Sequence, residues 1–260
     1  MPPLADLIAE LSELIAIPSV SADPAHQGDV AAAAEWVAER VRRAGGVAEV
    51  ISWGERPLVI GEIRASRDAD SAPTILCYGH FDVQPPDPLE LWESPPFELV
   101  DRDDWLYARG TADDKGQLYM LLKAAELLAA AGELPVNLRF ACDGEEEIGG
   151  HSIVDWVATD ERGADAAIVF DSGMVERDVP AFSIAVRGLC YFHVSVRTGR
   201  RDLHSGMYGG ASLNAMHALM QTLAPLLPPH ARLPAELRVG IVPPSEKEQA
   251  GWASLPAGPA

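Results

Sequence analysis

The chain has 260 residues, of which 48% are hydrophobic, and its formal net charge at pH 7 is −19. This length suffices for one large domain or two smaller ones, with a sizeable core. The negative charge argues against nucleic acids and anionic membrane surfaces as partners, and no apolar stretch approaches the roughly 20 residues that span a bilayer. Residues 1–6 lack the basic segment of a secretory signal. Three cysteines without metal-type spacing favour a reducing, cytoplasmic location.

The N-terminal segment predicts two helices and three strands. Apolar residues recur at helical spacing over 4–15, and Pro18 ends that helix. An Ala-rich helix over 28–44 follows and stops at Gly45-Gly46. Strands are predicted at 47–53, 58–64 and 74–78, and the last of these is an apolar run that predicts a buried strand.

A long proline-rich loop follows, and loops of this length are often functional. After it, strands and helices alternate along the chain. We predict a strand at 105–108, a helix at 115–131, a strand at 136–141, a helix at 152–159 and a strand at 166–170. Such alternation indicates an α/β three-layer sandwich with a largely parallel central sheet, which would occupy residues 1–185.

The pattern changes near residue 185, where we predict a domain boundary. Two alternating strands are expected at 183–186 and 190–196, followed by a helix at 211–227 and a short helix after Ser245. Residues 186–260 therefore predict a second, smaller α+β domain.

The tripeptide His80-Phe81-Asp82 comes at the end of the predicted buried strand. Side chains two residues apart on a strand point the same way, so the imidazole can bind a metal while the carboxylate orients its ring. Further acidic groups lie at Asp113-Asp114, Glu145-Glu146-Glu147 and Asp171, after strands or in turns. Ligands in α/β sheets gather at the carboxyl ends of strands. Together these groups predict a hydrolase site that holds two metal ions.

Two acidic segments each have a second interpretation. Asp113 and Asp114 lie in a glycine-flanked loop before a helix, where they could cap that helix or bridge two metals. The wider constellation favours the metal for Asp113 and capping for Asp114. Three consecutive glutamates at 145–147 repel one another, and cations would relieve this, but a solvated turn that starts a helix is the alternative. Spacing does not decide which glutamate binds metal and which moves protons.

Asp171 and His204 are candidates that rest more on their surroundings than on any motif. Asp171 ends an apolar strand, and its alternative is a turn aspartate. His204 lies in a glycine-bounded loop, where an imidazole can donate a hydrogen bond to a developing oxyanion. The alternative for His204 is an ordinary loop histidine.

Four segments, in this order, resemble the signatures of one enzyme family: 79–85, 109–116, 143–150 and 202–210. The family is that of the di-zinc metallopeptidases, which includes aminoacylases, glutamate carboxypeptidases and carnosine-type dipeptidases. The ending Val83-Gln84-Pro85 resembles the dipeptidase branch. The resemblance runs over essentially the whole chain and implies two divalent ions, Zn²⁺ or Mn²⁺.

The resemblance also implies a role for each candidate. His80 and Asp171 would bind one metal, Glu147 the other, and Asp113 would bridge both. Asp82 would orient His80.

Glu146 would be the general base. The second domain would be a lid that forms a homodimer, and His204 would polarise the scissile carbonyl in the partner's site.

Family members have longer chains, which return to the catalytic domain and supply a last histidine ligand. No residue here matches that ligand, so the resemblance predicts a C-terminally truncated chain with an unpaired, apolar sheet edge and weak activity. The substrate would be a dipeptide or short peptide. The alternatives are deacylation of N-acyl amino acids such as acetylornithine or succinyl-diaminopimelate, and a non-catalytic remnant of such an enzyme.

Overall fold

A computed structural model of the chain describes residues 2–54, 56–177, 179–183, 186, 188–226 and 235–256. By its contacts the chain forms two units, Met1–Gly173 and Met174–Ala260. The predicted boundary at residue 185 lies outside the described residues and stays a prediction. Within the described ranges, no helix is both long enough and apolar enough to cross a membrane.

The first unit contains the predicted helices and strands with small shifts at their ends. An additional strand, β4, was not predicted, and it pairs with β5 outside the central sheet. In chain order the elements are α1 (Leu4–Ile15), α2 (Gln27–Arg43), β1 (Val47–Trp53), β2 (Arg56–Ile63), β3 (Thr74–His80), β4 (Val100–Arg102), β5 (Trp105–Tyr107), α3 (Lys115–Ala130), β6 (Asn137–Asp143), α4 (Ser152–Thr159) and β7 (Ala166–Val169).

The central sheet has the strand order β1-β2-β6-β3-β7 and is mixed. Strand β3 is parallel to both β6 and β7, whereas β2 is antiparallel to both β1 and β6. Four strands run in one direction and β2 runs opposite to them, so the prediction of a largely parallel sheet fails at the pairs β2–β6 and β1–β2. A short connection joins β1 and β2, and parallel pairing needs a crossover of a dozen or more residues, which α3 and α4 provide only later in the chain.

Helices cover both faces of this sheet, so the predicted layering is present in the first unit. Val59 of β2 faces a large core that α2 and α3 fill with side chains such as Val37 and Leu118. Its neighbour Leu58 points to the opposite face, where it packs with Ile153 of α4. This alternation along β2 is what a strand between two helical layers requires.

The parallel strands end together at one edge of the sheet. In the register of β3 and β6, His80 pairs with Asp143, and in that of β3 and β7, Tyr78 pairs with Val169. Every residue of β6 is buried, whereas β7 lies at the edge of the described sheet with all of its residues exposed.

A buried lysine joins the first helix to the loop before α3. The ammonium of Lys115 donates to the carbonyl of Leu14 at 3.0 Å and to that of Ile17 at 2.6 Å, both at the end of α1. Burial lowers the pKa of Lys115 to about 7. The same two carbonyls also accept from the backbone N–H groups of Ile17 and Ser19, so the ammonium adds a side-chain donor to the turn that ends α1.

The second unit differs from its prediction. Its helices are α5 (Ser205–Tyr208), α6 (Ala215–Leu223) and α7 (Glu246–Ala253), the last of which matches the expected short helix after Ser245. The predicted helix at 211–227 begins later than expected because the side chain of Asn214 caps α6 by accepting from the N–H of Met216 at 2.9 Å. Residue 227 lies outside the described residues.

The predicted strand at 190–196 is wrong, because the described backbone there is irregular. Tyr191 and Phe192 are each 78% exposed. A strand needs a hydrogen-bonded neighbour, and no described segment pairs with this one. Part of the other predicted strand, 183–186, lies outside the described residues. The lid assignment of this unit stays a prediction.

Candidate metal centre

His80 is the centre of the candidate site. It ends β3 and is fully buried. Its Nδ1 lies 3.1 Å from the backbone oxygen of Asp82 and 3.3 Å from that residue's carboxylate. Because both partners are acceptors, Nδ1 carries the hydrogen, and the ring is oriented as it is in many metal sites.

The other ring nitrogen of His80 faces two carboxylates from separate segments. Its Nε2 lies 3.0 Å from Oδ1 of Asp113, in the loop before α3, and 3.8 Å from Oδ2 of Asp171, which follows β7. One donor atom from each residue lies within 4.8 Å of the others. An imidazole and two carboxylates fit the donor set of a catalytic zinc, with positions left for other ligands. The structure thus brings together three of the predicted ligands.

Negative charge dominates this cluster. Burial alone would lower the pKa of His80, but the hydrogen bond to Asp82 and the charges of Asp82, Asp114 and Asp171 outweigh it and raise that pKa to about 10. Burial raises the pKa of Asp171, and so does the charge of Asp113, although His80 opposes both. A site that holds protons this strongly is one that a cation can stabilise.

Asp82 connects the end of β3 to the loop after β6. It is fully buried, and its Oδ1 accepts from the N–H of Glu146 at 3.2 Å. Its Oδ2 accepts from the N–H of Glu147 at 3.1 Å. One carboxylate therefore orients both the imidazole of His80 and the backbone of the two glutamates.

The structure separates the three consecutive glutamates, which the sequence could not do. Glu145 points inward, where its Oε1 accepts from the N–H of Ser152 at 2.7 Å, in the first turn of α4. Its role is structural, because an acidic side chain at the N-terminus of a helix stabilises that helix. Glu146 points to the site, and its Oε2 lies 4.0 Å from Nε2 of His80. Burial raises the pKa of Glu146, and the charges of Glu147, Asp171 and Asp82 raise it further against the opposing effect of His80.

Glu147 is held by Gln84, a residue that had no predicted role. The amide nitrogen of Gln84 donates to Oε2 of Glu147 at 2.7 Å and to its backbone oxygen at 2.9 Å. Among the described residues, the group close enough to share one metal contains His80, Asp113 and Asp171 without Glu147. A signal was present in the sequence, because Gln84 follows Asp82 by two residues in an extended segment.

Asp114 was predicted to cap α3, but its side chain does not do so. It occupies the N-cap position without a capping hydrogen bond and turns under His80, whose backbone N–H donates to Oδ2 at 3.0 Å. Burial raises the pKa of Asp114 to about 8. A Cβ at Gly79 would lie 2.8 Å from that Oδ2, so this close approach requires glycine.

His204 lies in the second unit. It occupies the N-cap position of α5, where its Nδ1 accepts from the N–H of Gly206 at 3.1 Å. Its predicted action in a partner's site stays a prediction.

Comparison with known proteins agrees with the donor set. The model of Peptidase family M20/M25/M40 matches residues 76–251. The Cys-Gly metallodipeptidase dug1 of Schizosaccharomyces pombe is 30% identical over 244 residues, which cover 88% of this chain and 51% of that protein. The cysteinylglycine-S-conjugate dipeptidase of Corynebacterium striatum is 32% identical over 236 residues, with the same coverage of 88% and 51%. The chain therefore spans about half the length of these curated relatives.

Solved structures give the same result for the fold. An M20 family metallo-carboxypeptidase from Sulfolobus solfataricus superposes with a TM-score of 0.77 at 28% identity, over 94% of this chain and 55% of that one. The di-peptidase Dug1p from Saccharomyces cerevisiae gives a TM-score of 0.70 at 25% identity, over 97% and 56%. The chain thus belongs to peptidase family M20/M25/M40, in its dipeptidase branch.

Proposed function

We propose that this protein hydrolyses the peptide bond of dipeptides or short peptides with the help of two divalent metal ions, Zn²⁺ or Mn²⁺. The observation that carries the proposal is the convergence of His80, Asp113 and Asp171 on one point at the carboxyl ends of the parallel strands, with Glu146 beside them. The names of the relatives support the substrate class, because the proteins from S. pombe and C. striatum are dipeptidases for cysteinylglycine compounds.

His80, Asp113 and Asp171 would hold the first ion, and Asp113 would share the second with Glu147. When bound, such ions acidify water and polarise the substrate carbonyl. Asp82 accepts the hydrogen of Nδ1, so that Nε2 would be the nitrogen of His80 that binds the ion. Gln84 fixes one carboxylate oxygen of Glu147.

Glu146 would act as the general base. It accepts the proton of the attacking water and returns it to the leaving amine, which requires a carboxylate whose pKa lies above its usual value. The surroundings of Glu146 raise its pKa, as this role demands. In a homodimer, His204 of a partner subunit would donate a hydrogen bond to the oxyanion that develops on the substrate.

The test is hydrolysis of dipeptides by the purified chain with and without Zn²⁺ or Mn²⁺. The Glu146→Gln variant should keep its metal, as measured by mass spectrometry, and lose activity by about 10²- to 10⁴-fold. Glu49→Gln is the matched control, because Glu49 is exposed on β1, at the sheet edge opposite β7.

Full activity of Glu146→Gln would refute its assignment as the base. Faster hydrolysis of N-acyl amino acids than of dipeptides would refute the proposed substrate class. A chain that binds no metal and hydrolyses neither would be a non-catalytic remnant.

A further inference from the structure

The two carboxylates that face His80 come from segments far apart in the sequence. Asp113 precedes α3, whereas Asp171 follows β7. The two carboxylates repel each other because they lie close together in space beside His80, so the backbone of each segment needs an independent attachment. Gln117, in the first turn of α3 and only 7% exposed, provides contacts to both.

The amide nitrogen of Gln117 donates to the carbonyl oxygen of Ala112 at 2.5 Å and reaches that of Ser172 at 3.5 Å. Ala112 directly precedes Asp113, and Ser172 directly follows Asp171. Side chains of a helix lean toward its N-terminus, and this direction carries the amide of Gln117 back to the loop.

We propose that Gln117 is a positioning residue, whose amide joins the segments of Asp113 and Asp171 and so sets the spacing of their carboxylates around a cation. The inference rests on the proposed metal centre. An amide suits this task because it is neutral: a lysine or arginine here would pair with the carboxylates and compete with the metal.

A second observation separates this role from simple packing. Oε1 of Gln117 is buried and has no hydrogen-bond partner. A buried acceptor without a partner destabilises the folded chain, and an apolar side chain of similar size would avoid that cost. The amide is therefore at a position where stability alone would favour leucine or methionine, and its two donated contacts explain its presence.

The experiment is a titration of the purified chain with Zn²⁺ in competition with a chromophoric chelator, for wild type, Gln117→Leu and Gln117→Met. We expect both variants to bind Zn²⁺ about 10- to 100-fold more weakly, the range found for residues that orient metal ligands. Methionine keeps the length of the side chain, so a measurable result does not depend on leucine fitting the site.

Tyr119→Phe is the matched control. Tyr119 lies on the same helix and is buried, and its hydroxyl donates to Glu10 at 2.7 Å without contact to the candidate site. This control should lower the melting temperature while leaving Zn²⁺ affinity unchanged. A variant of Gln117 that binds Zn²⁺ like wild type, whatever its melting temperature, would overturn the positioning role.

A second readout tests the coupling. If Gln117 acts through Asp171, the effects of Gln117→Met and Asp171→Asn on Zn²⁺ affinity should be smaller together than their sum. Strict additivity would contradict the inference. A wild-type chain that binds no Zn²⁺ would instead refute the metal centre itself, so the two failures are distinguishable.

Discussion

Replacing Asp82 by alanine tests how the buried carboxylate supports the site. In the structure its two oxygens accept from the N–H groups of Glu146 and Glu147, at 3.2 and 3.1 Å. Alanine removes the acceptor of both donors, whose hydrogen bonds to Asp82 are partly buried. At about 1–3 kcal/mol for each unsatisfied donor, the free energy of unfolding should fall by about 2–6 kcal/mol. That is a large share of the roughly 5–15 kcal/mol that stabilise a typical domain.

Through His80, the loss of the Asp82 carboxylate should lower the affinity for Zn²⁺ more than it lowers the free energy of unfolding. Its Nδ1 keeps one acceptor, the backbone oxygen of Asp82 at 3.1 Å, when the carboxylate is removed. The ring is then held by one contact, and Zn²⁺ affinity should fall by about 10- to 100-fold. Asparagine at this position can satisfy one of the two backbone donors, so Asp82→Asn should lose about half as much stability as Asp82→Ala.

The assay is urea unfolding in the presence of a chelator, so that loss of metal does not contribute to the difference. Asp101→Ala, at an exposed position of β4, serves as the control and should unfold like wild type. A midpoint for Asp82→Ala that equals that of Asp101→Ala would refute the reasoning, because it would mean that the two N–H groups find other acceptors at no cost.

Two further predictions concern the neighbours of this carboxylate. Gln84→Ala frees the carboxylate of Glu147, so a Zn²⁺ titration should show the second ion binding about 10-fold more weakly while the first is unchanged; equal weakening of both ions would contradict the assignment. The pKa of His80 rises from 6.5 to about 10 and that of Asp114 from 3.8 to about 8, so both groups bind protons more strongly in the folded chain than in the unfolded chain. The stability that His80 contributes to the folded chain is complete below pH 6.5 and is lost as the pH rises through 10. The stability that Asp114 contributes is complete below pH 3.8 and is lost as the pH rises through 8. The melting temperature of the metal-free chain should therefore fall between pH 6.5 and 10, and it should fall less steeply in the Asp114→Asn variant. A melting temperature that rises over this pH interval would contradict the raised pKa values.

The three-residue cluster could be predicted because its members occupy positions that the fold defines. His80 ends a buried strand, Asp171 follows another, and Asp113 comes directly before a helix, so hydrophobic patterning alone indicated where each would lie. The prediction of a largely parallel sheet missed the reversed direction of β2, because hydrophobic patterning does not show that β1 and β2 form an antiparallel hairpin.

Side-chain direction within the acidic segments could not be predicted. Glu145, Glu146 and Glu147 have the same chemistry, and what separates them is which backbone N–H groups lie nearby after folding. Asp114 has the sequence signature of a cap, but the close approach that Gly79 permits places its carboxylate under His80 instead. Such choices depend on contacts between segments far apart in the chain.

The second unit was predicted least well. Its apolar segments alternate as strands do, yet Tyr191 and Phe192, inside the strand predicted at 190–196, are each 78% exposed. Alternation indicates which face of a strand would be buried, but the strand forms only when another segment pairs with it.

The hydrogen bonds of the Lys115 ammonium affect the local unfolding of the first helix and the changes that the N-terminus tolerates. Its bonds to the end of α1 attach the first helix to the residue that directly follows Asp113-Asp114. Local fluctuations that detach α1 would leave a buried cation without these acceptors, so we expect the first helix and the loop of Asp113 to exchange their amide hydrogens as one cooperative unit. We therefore expect an affinity tag or a deletion at the N-terminus to affect the loop of Asp113, although 101 positions separate Lys115 from Leu14 in sequence.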